Sequence, residues 1–115
     1  MQKVKVKFKQ WECEALPGLY MNHRLAIMLI DTKDGDLVAT ATVNMPDDDL
    51  DDYSIFVKDY SENEGMTQAL IDAGIITNEV TGSCNSIHIV IKAYRLTPLG
   101  DELFINALDA LNNGE

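Results

Sequence analysis

The chain is poor in the residues that usually mark a catalytic or metal-binding protein. Its 115 residues include two cysteines and two histidines, with no Cys-x-x-Cys or His-x-x-x-His pair to anchor a zinc ion. It has no phosphate-binding loop, no dinucleotide fingerprint and no local signature of a catalytic Ser or Cys. These absences predict a protein that is not an enzyme and that needs no cofactor.

Long apolar stretches are missing as well. No run approaches the roughly 20 residues of a membrane span, and the N-terminus lacks the charged-then-apolar pattern of a signal peptide. We therefore expect a cytoplasmic protein without membrane contact, in which Cys13 and Cys84 stay reduced and buried. Hydrophobic residues still make up 46% of the chain, which favours one folded domain over residues 1–115.

Basic residues are scarce, with nine Lys and Arg against nineteen Asp and Glu and a net charge of −10. The imbalance is greatest between Asp31 and Glu64, where eleven acids face two lysines. Such a field repels nucleic acid and attracts basic surfaces, including those of proteins that bind nucleic acid. Acidity that serves only solubility is the alternative interpretation.

Residues 1–15 are predicted to open the chain as a strand, because lysines alternate with Val4, Val6 and Phe8, the period-2 pattern of a strand with one dry face. The apolar phase then shifts by one residue at Trp11. This shift predicts a β-bulge near residues 9–11, or a change of neighbouring strand there. The lysine row is interpreted as a solvated or edge-protecting face rather than a nucleic-acid site.

Further strands follow from apolar alternation and from turn residues. Pro17-Gly18 predicts a turn, Asp34-Gly35 predicts a hairpin, and residues 78–85 are predicted to form a polar loop. The continuous apolar run at residues 25–30 is typical of a central strand. The remaining predicted strands cover residues 19–31, 37–44, 53–58 and 86–96.

Two helices are predicted. Ser61 and Glu64 have the spacing of a capping box that would start the first helix, and Gly74 would end it in the left-handed conformation. Thr97-Pro98 has the pattern of N-cap and first position of the second helix. The order β-β-β-β-α-β-α predicts an α+β fold: a mostly antiparallel sheet of about five strands with both helices on one face.

Residues 57–66 (VKDYSENEGM) and 69–76 (ALIDAGII) resemble a family of small, uncharacterised acidic proteins carried by bacteriophage and other bacterial mobile elements. Residues 4–13 and 38–44 are similar to the same family, whereas the tail after Leu96 is not. The resemblance implies a setting, an accessory gene of a mobile element in a bacterial host. It implies no activity and no catalytic residues.

The aspartate run at residues 47–52 is the strongest candidate for a metal site, because calcium needs six or more converging oxygens. It lacks the spaced ligands, the glycine and the terminal Glu of an EF-hand loop, so a solvated acidic loop is predicted instead. Tyr60 is either an exposed anchor or a residue packed at the strand-to-helix junction. The candidate partner-binding residues are Asp47, Asp48, Asp49, Asp51, Asp52, Asp59, Tyr60 and Glu62.

The sequence thus predicts a protein that binds a host protein through a basic surface of that partner. The chain itself is predicted to have no direct affinity for nucleic acid. Its acidic surface would occupy a nucleic-acid-binding site and inhibit a defence or regulatory system, as an anti-CRISPR protein does. The alternatives are a passive accessory module of the element and a small metal-binding protein.

Overall fold

The computed structural model describes residues 3–46, 48–86 and 88–112. These residues form seven strands and two helices, joined by irregular segments and one turn of 3-10 helix at Ser61–Asn63. The strands are β1 Lys5–Phe8, β2 Trp11–Leu19, β3 Leu25–Asp31, β4 Leu37–Thr40, β5 Ser54–Phe56, β6 Ile76–Ser86 and β7 Ile89–Leu96. The helices are α1 Met66–Asp72 and α2 Pro98–Asn112.

The strands form two antiparallel sheets, one ordered β1-β2-β3-β4 and the other β5-β7-β6. The α+β class, the two helices and the mostly antiparallel pairing are confirmed. The single sheet of about five strands and the predicted element order are wrong, because seven strands in two sheets are observed. The two extra strands arise where the first predicted strand divides and where a predicted loop is a strand.

The phase shift near Trp11 is a hairpin turn rather than a bulge. Phe8 pairs with Trp11, so Lys9 and Gln10 form a two-residue turn between β1 and β2. Lys9 has a φ of 55°, a conformation in which glycine is usual. Its ammonium Nζ donates to the Glu62 carbonyl at 2.7 Å and lies 5.2 Å from the centre of the Phe8 ring. The tertiary contact with Glu62 favours a turn that local propensity does not.

The predicted turn at Pro17-Gly18 is also wrong, because β2 continues through both residues and pairs with Ile27 and Ala26 of β3. Ala15 donates its N–H to Val4 on the β1 side of β2. The backbone of Pro17 faces the same side, beyond the first residue of β1. Proline has no N–H, but at this position an N–H would not have bonded to β3, so the pairing of β2 with β3 is intact.

The central position of β3 between β2 and β4 agrees with its apolar run, and Gly35 has the left-handed φ of 77° expected in the next turn. The predicted strand 37–44 is shorter, since β4 ends at Thr40. The chain then crosses to the second sheet through an antiparallel bridge between Thr42 and Val57. The backbone bonds Lys58 N–H to Ala41 O and Val43 N–H to Phe56 O flank this bridge.

Residues 78–85 are strand rather than loop. They lie in β6, the edge strand of the second sheet, which pairs with β7 from Ile76 to Ser86 with two register shifts before Gly82. An edge strand is wetted along one side, so its residues can be polar and its apolar alternation weak. The predicted strand at 86–96 is shorter, since β7 begins at Ile89 and Ser86 belongs to β6, while Ile87 lies outside the described residues.

The predicted capping box is wrong. Ser61 makes no side-chain cap and has a φ of 54° in the 3-10 turn, and α1 begins after Gly65. The end of α1 is as predicted. Gly74 has a φ of 79°, and the bonds Gly74 N–H to Ile71 O and Ile75 N–H to Leu70 O form a Schellman motif.

The start of α2 adjoins the end of α1. The Thr97 hydroxyl oxygen accepts the Gly100 N–H at 3.1 Å, which confirms Thr97 as N-cap, and the hydroxyl bonds to the carbonyls of Gly74 and Ile75. The Thr97 N–H also donates to Ile75 O at 3.0 Å. One residue thus joins the two helix ends.

The main core lies between the helices and the sheets: α1 packs mainly on β1 and β6, and α2 packs mainly on β2 and β7. Its most deeply buried side chains include Ile27, Leu29, Met66, Leu70 and Ile75. A smaller core, the second cluster, is formed by Phe56, Ile91 and Ala93 on the opposite face of the β5-β7-β6 sheet. Neither helix among the described residues has the length and apolarity needed to cross a bilayer.

Candidate protein-binding surface

The acidic loop, defined as residues 45–52, is held against the body of the protein. Arg24 lies just before β3, and its guanidinium donates to the backbone carbonyls of Met45, at 3.0 Å, and of Asp48. Bonds from a charged donor to neutral carbonyls fix the course of the backbone while leaving the carboxylates unengaged by that donor. The backbone is therefore held at Met45 and Asp48, while Asp49, Asp51 and Asp52 are exposed, as expected of a solvated acidic loop.

Two apolar side chains anchor the same loop. Met45 and Leu50 pack on the second cluster, and a Cβ added to Gly82 of β6 would lie 3.5 Å from Leu50 Cδ1. Leu50 is half-buried, so it gains part of the roughly 1.5–3 kcal/mol that a fully buried leucine would gain by leaving water. The loop thus covers one face of the β5-β7-β6 sheet and lies directly on β6.

Asp51 shapes the C-terminal end of the loop. Its Oδ1 accepts the Tyr53 N–H at 2.9 Å, and its Oδ2 lies 3.7 Å from an Arg95 nitrogen. Arg95 also approaches Glu79 of β6 at 3.4 Å. These partly exposed ion pairs are each worth about 0–1 kcal/mol, so they orient the loop more than they stabilise it.

The other described aspartates of the loop carry the free charge. Asp49 and Asp52 are exposed; within the described residues neither side chain has an ion pair or hydrogen bond. Asp48 is half-buried beside Cys84 of β6. The hydrogen bond between the two side chains, together with the partial burial of Cys84, raises the pKa of the Cys84 thiol. Asp47 lies outside the described residues, so its predicted role stays a prediction.

Asp59 is committed to structure. Its Oδ1 accepts the Gly65 N–H and its Oδ2 accepts the Thr67 N–H, both at 2.9 Å. Burial pushes the pKa of Asp59 upward, but the hydrogen bonds from Thr67 and Gly65 outweigh it and hold the pKa below its ordinary value. Asp59 therefore caps α1, the role that the sequence pattern assigned to Ser61.

Tyr60 and Glu62 belong to the same junction. Tyr60 is half-buried against the second cluster, and the Lys58 ammonium lies 5.7 Å from its ring centre. Glu62 is exposed, and its Oε2 accepts a hydrogen bond from Lys58 at 2.8 Å, which lowers the pKa of Glu62. Tyr60 thus follows the packed alternative, and Glu62 is compensated by a neighbouring cation.

A cleft of about 220 Å³ opens beside this junction, on the face of β7 opposite the loop. Lys92 and Val90 of β7 are exposed there, and Tyr60, Tyr94 and Thr67 complete the wall. Both oxygens of Asp59 are already used by backbone donors, so the cleft offers no free carboxylate from that residue. Among residues 3–46, 48–86 and 88–112, no group of three His, Cys, Asp or Glu side chains could hold a metal ion.

The structure thus divides the candidate residues into two sets. Asp48, Asp49, Asp51 and Asp52 share one anchored loop, whereas Asp59, Tyr60 and Glu62 form the junction before α1. Sequence reasoning missed Arg24 and Arg95, the only arginines in the chain, which both hold the loop. The signal that could have found the anchoring was Leu50, a large apolar residue inside a run of aspartates.

Comparisons with protein-family models, with curated proteins and with solved structures found no match for the chain.

Proposed function

We propose that this chain is a non-enzymatic accessory protein of a phage or other mobile element, which binds a basic surface of a host protein through the acidic loop. The observation that carries the proposal is the anchoring of that loop by Arg24 and Leu50. Charge that serves solubility alone needs no fixed backbone. An acidic surface that must match a partner's cations binds more tightly when it is already ordered before binding, because less ordering cost is left for the binding step.

Occupation of a nucleic-acid-binding site is the mode of inhibition that best suits this chemistry. A loop with an anchored backbone presents its carboxylates along a defined path, as a phosphate backbone does. A host defence protein or regulator with a basic groove would then bind either nucleic acid or this protein. Nucleic acid itself is repelled by the net charge of −10.

The test uses the full chain, immobilised and exposed to lysate of a bacterial host at low and high salt. A loop variant, Asp48→Asn with Asp49→Asn and Asp52→Asn, is compared with a matched control, Asp36→Asn with Glu64→Gln and Asp109→Asn. Both sets remove three exposed or partly exposed charges, and both spare Asp51 and Asp59. We expect a protein retained at low salt by wild type and control but not by the loop variant, and released by added DNA or RNA.

Retention that persists in the loop variant would contradict the proposal. So would a loop variant that changes solubility but no binding, since this is the behaviour of a passive accessory module. A protein retained by charge but not displaced by nucleic acid would keep the binding function and overturn the proposed mode of inhibition.

A further inference from the structure

The outer side of β6 is an open sheet edge beside the acidic loop. β6 has β7 on one side, and no described strand pairs with its other side. Its first half is interrupted by register shifts between Ile76 and Gly82, a common protection of edges. From Gly82 to Ser86 the register against β7 is regular, which leaves about five residues able to receive another strand.

The hydrogen-bonding direction within this segment follows from β7. Lys92 O accepts the Val57 N–H, so the backbone of Lys92 faces β5 and not β6. In an antiparallel pair, the backbone N–H and C=O groups of two opposite residues point either toward each other or away from each other. Ser83 is opposite Lys92. The N–H and C=O groups of Ser83 therefore point outward, and those of Asn85 do the same two residues later.

The two faces of this edge differ. The side chain of Cys84 lies on the face covered by the acidic loop, where it packs with the second cluster and adjoins Asp48. Ser83 and Asn85 are exposed on the opposite face, with Lys92 and Val90 as cross-strand neighbours. An added strand would place every second side chain next to the loop and the others next to small polar residues.

We infer that the Gly82–Ser86 edge binds an extended antiparallel segment of a partner protein that carries Lys or Arg at alternate positions. The cations would lie over the acidic loop, near Asp48 and Asp49. The intervening residues would exchange backbone hydrogen bonds with Ser83 and Asn85. This inference rests on the proposed function and names the partner's chemistry: charge attracts the segment, and backbone pairing orients it.

The probe is a labelled, end-blocked peptide, Thr-Lys-Thr-Lys-Val-Lys-Thr, titrated with the protein by fluorescence anisotropy. Its control has the same composition with the lysines consecutive, Lys-Lys-Lys-Thr-Thr-Val-Thr. We expect the alternating peptide to bind about tenfold tighter, because only it can combine edge hydrogen bonds with loop contacts. Equal affinities would overturn strand addition while leaving charge-driven binding intact. If neither peptide binds and the loop variant retains its partner, the proposed function itself fails.

Backbone methylation separates pairing from charge. In an antiparallel addition the Thr and Val residues point their N–H groups at β6, while the lysine N–H groups point to solvent. Methylating the Thr and Val nitrogens should abolish the advantage of the alternating peptide, and methylating the lysine nitrogens should preserve it. Equal effects of the two methylations would contradict the inference.

The protein offers the complementary change. Ser83→Pro removes an outward N–H without affecting the pairing of Gly82 or Cys84 with β7, and an edge strand tolerates proline on this side. It should lower the affinity about fivefold relative to Ser83→Ala. Self-association of the wild type that Ser83→Pro abolishes would overturn the basic partner in favour of a second copy. If the proline variant unfolds, the methylated peptides still decide.

Discussion

The Asp59 carboxylate accepts the backbone N–H groups of Gly65 and Thr67, both at 2.9 Å, and so caps α1 from outside the helix. Gly65 occupies the N-cap position with a φ of 99° and has no side chain to serve the first turn. An ionised carboxylate at this end also complements the helix macrodipole. Asp59 is thereby a stability determinant, and its predicted role in partner binding stays a prediction.

Replacing Asp59 by Ala should destabilise the protein by about 1–2 kcal/mol, the usual cost of a lost cap. Ser61→Ala is the control: Ser61 is exposed and caps nothing, so its replacement should change the stability by less than about 0.5 kcal/mol. Urea unfolding monitored by circular dichroism measures both. A larger loss of stability in Ser61→Ala than in Asp59→Ala would mean that Ser61, not Asp59, caps the helix.

The same residue predicts a pH dependence. The pKa of Asp59 is lower in the folded protein than its ordinary value of 3.8, so its ionised form stabilises the fold. That contribution is complete above the unfolded-state pKa and is lost as the pH falls through the folded-state pKa. The stability difference between wild type and Asp59→Ala should therefore be constant near neutrality and shrink below about pH 4. A difference that grows on acidification would contradict the cap.

Gly100→Ala should destabilise the protein although Ala favours helices. Helix propensity alone predicts a gain of about 1 kcal/mol in α2. A Cβ at Gly100 would overlap the Ile75 carbonyl oxygen and approach Leu96, and relieving such overlap costs about 1–3 kcal/mol. Asp109→Ala, at an exposed site of the same helix, isolates propensity and should be neutral or stabilising. Thermal melts of both variants decide the sign.

Arg24→Met should loosen the acidic loop and destabilise the protein by about 1–3 kcal/mol, since two partly buried carbonyls lose a charged donor. Arg95→Met removes only partly exposed ion pairs and should cost about 0–1 kcal/mol. Limited proteolysis with an enzyme that cleaves after acidic residues should cut the loop faster in the Arg24 variant. Cleavage of the Arg24 variant no faster than that of the wild type would mean that Arg24 does not hold the loop.

The two thiols should react at different rates. Burial, assisted by the nearby Asp31 charge, raises the pKa of Cys13, which should be alkylated only on unfolding. Cys84 is partly exposed and should react first. Asp48→Asn removes a carboxylate that disfavours the thiolate, so it should accelerate alkylation of Cys84 near pH 8. Mass spectrometry of the modified chain gives both rates. An unchanged alkylation rate of Cys84 in Asp48→Asn would mean that Asp48 does not influence the Cys84 thiol.

Sequence patterns predicted the elements whose own residues decide their structure. The apolar run of β3, the Thr97-Pro98 start of α2 and the Gly74 end of α1 all depend on local chemistry, and all are present. The Lys9 turn was missed because a lysine there is unfavourable by itself. Its left-handed conformation is compensated by Glu62, 53 residues away, and no local pattern contains that contact.

The candidate site shows the same division. That residues 47–52 are acidic is evident from the sequence, and so is the resulting attraction for basic surfaces. That the loop is fixed depends on Arg24 and on the second cluster, which form only when the two sheets assemble. Ser61 and Glu64 satisfied a valid capping pattern, yet Asp59 reached the helix end from a more favourable position.

Thr97, which connects the end of α1 to the start of α2, also has an electrostatic consequence. The unpaired carbonyls at a helix C-terminus carry partial negative charge, and the unpaired N–H groups at an N-terminus carry partial positive charge. Thr97 brings these two ends together through Gly74 and Ile75. The Gly74 and Ile75 carbonyls, just beyond the end of α1, thus lie at the positive end of α2, and α1 has no basic residue in its last turn.

This head-to-tail arrangement couples the two helices. When α2 detaches, Gly74 and Ile75 at the end of α1 lose the hydrogen bonds that Thr97 donates to their carbonyls. The amide protons of both helices should therefore exchange with solvent in a single opening event, so α1 is only as persistent as the docking of α2.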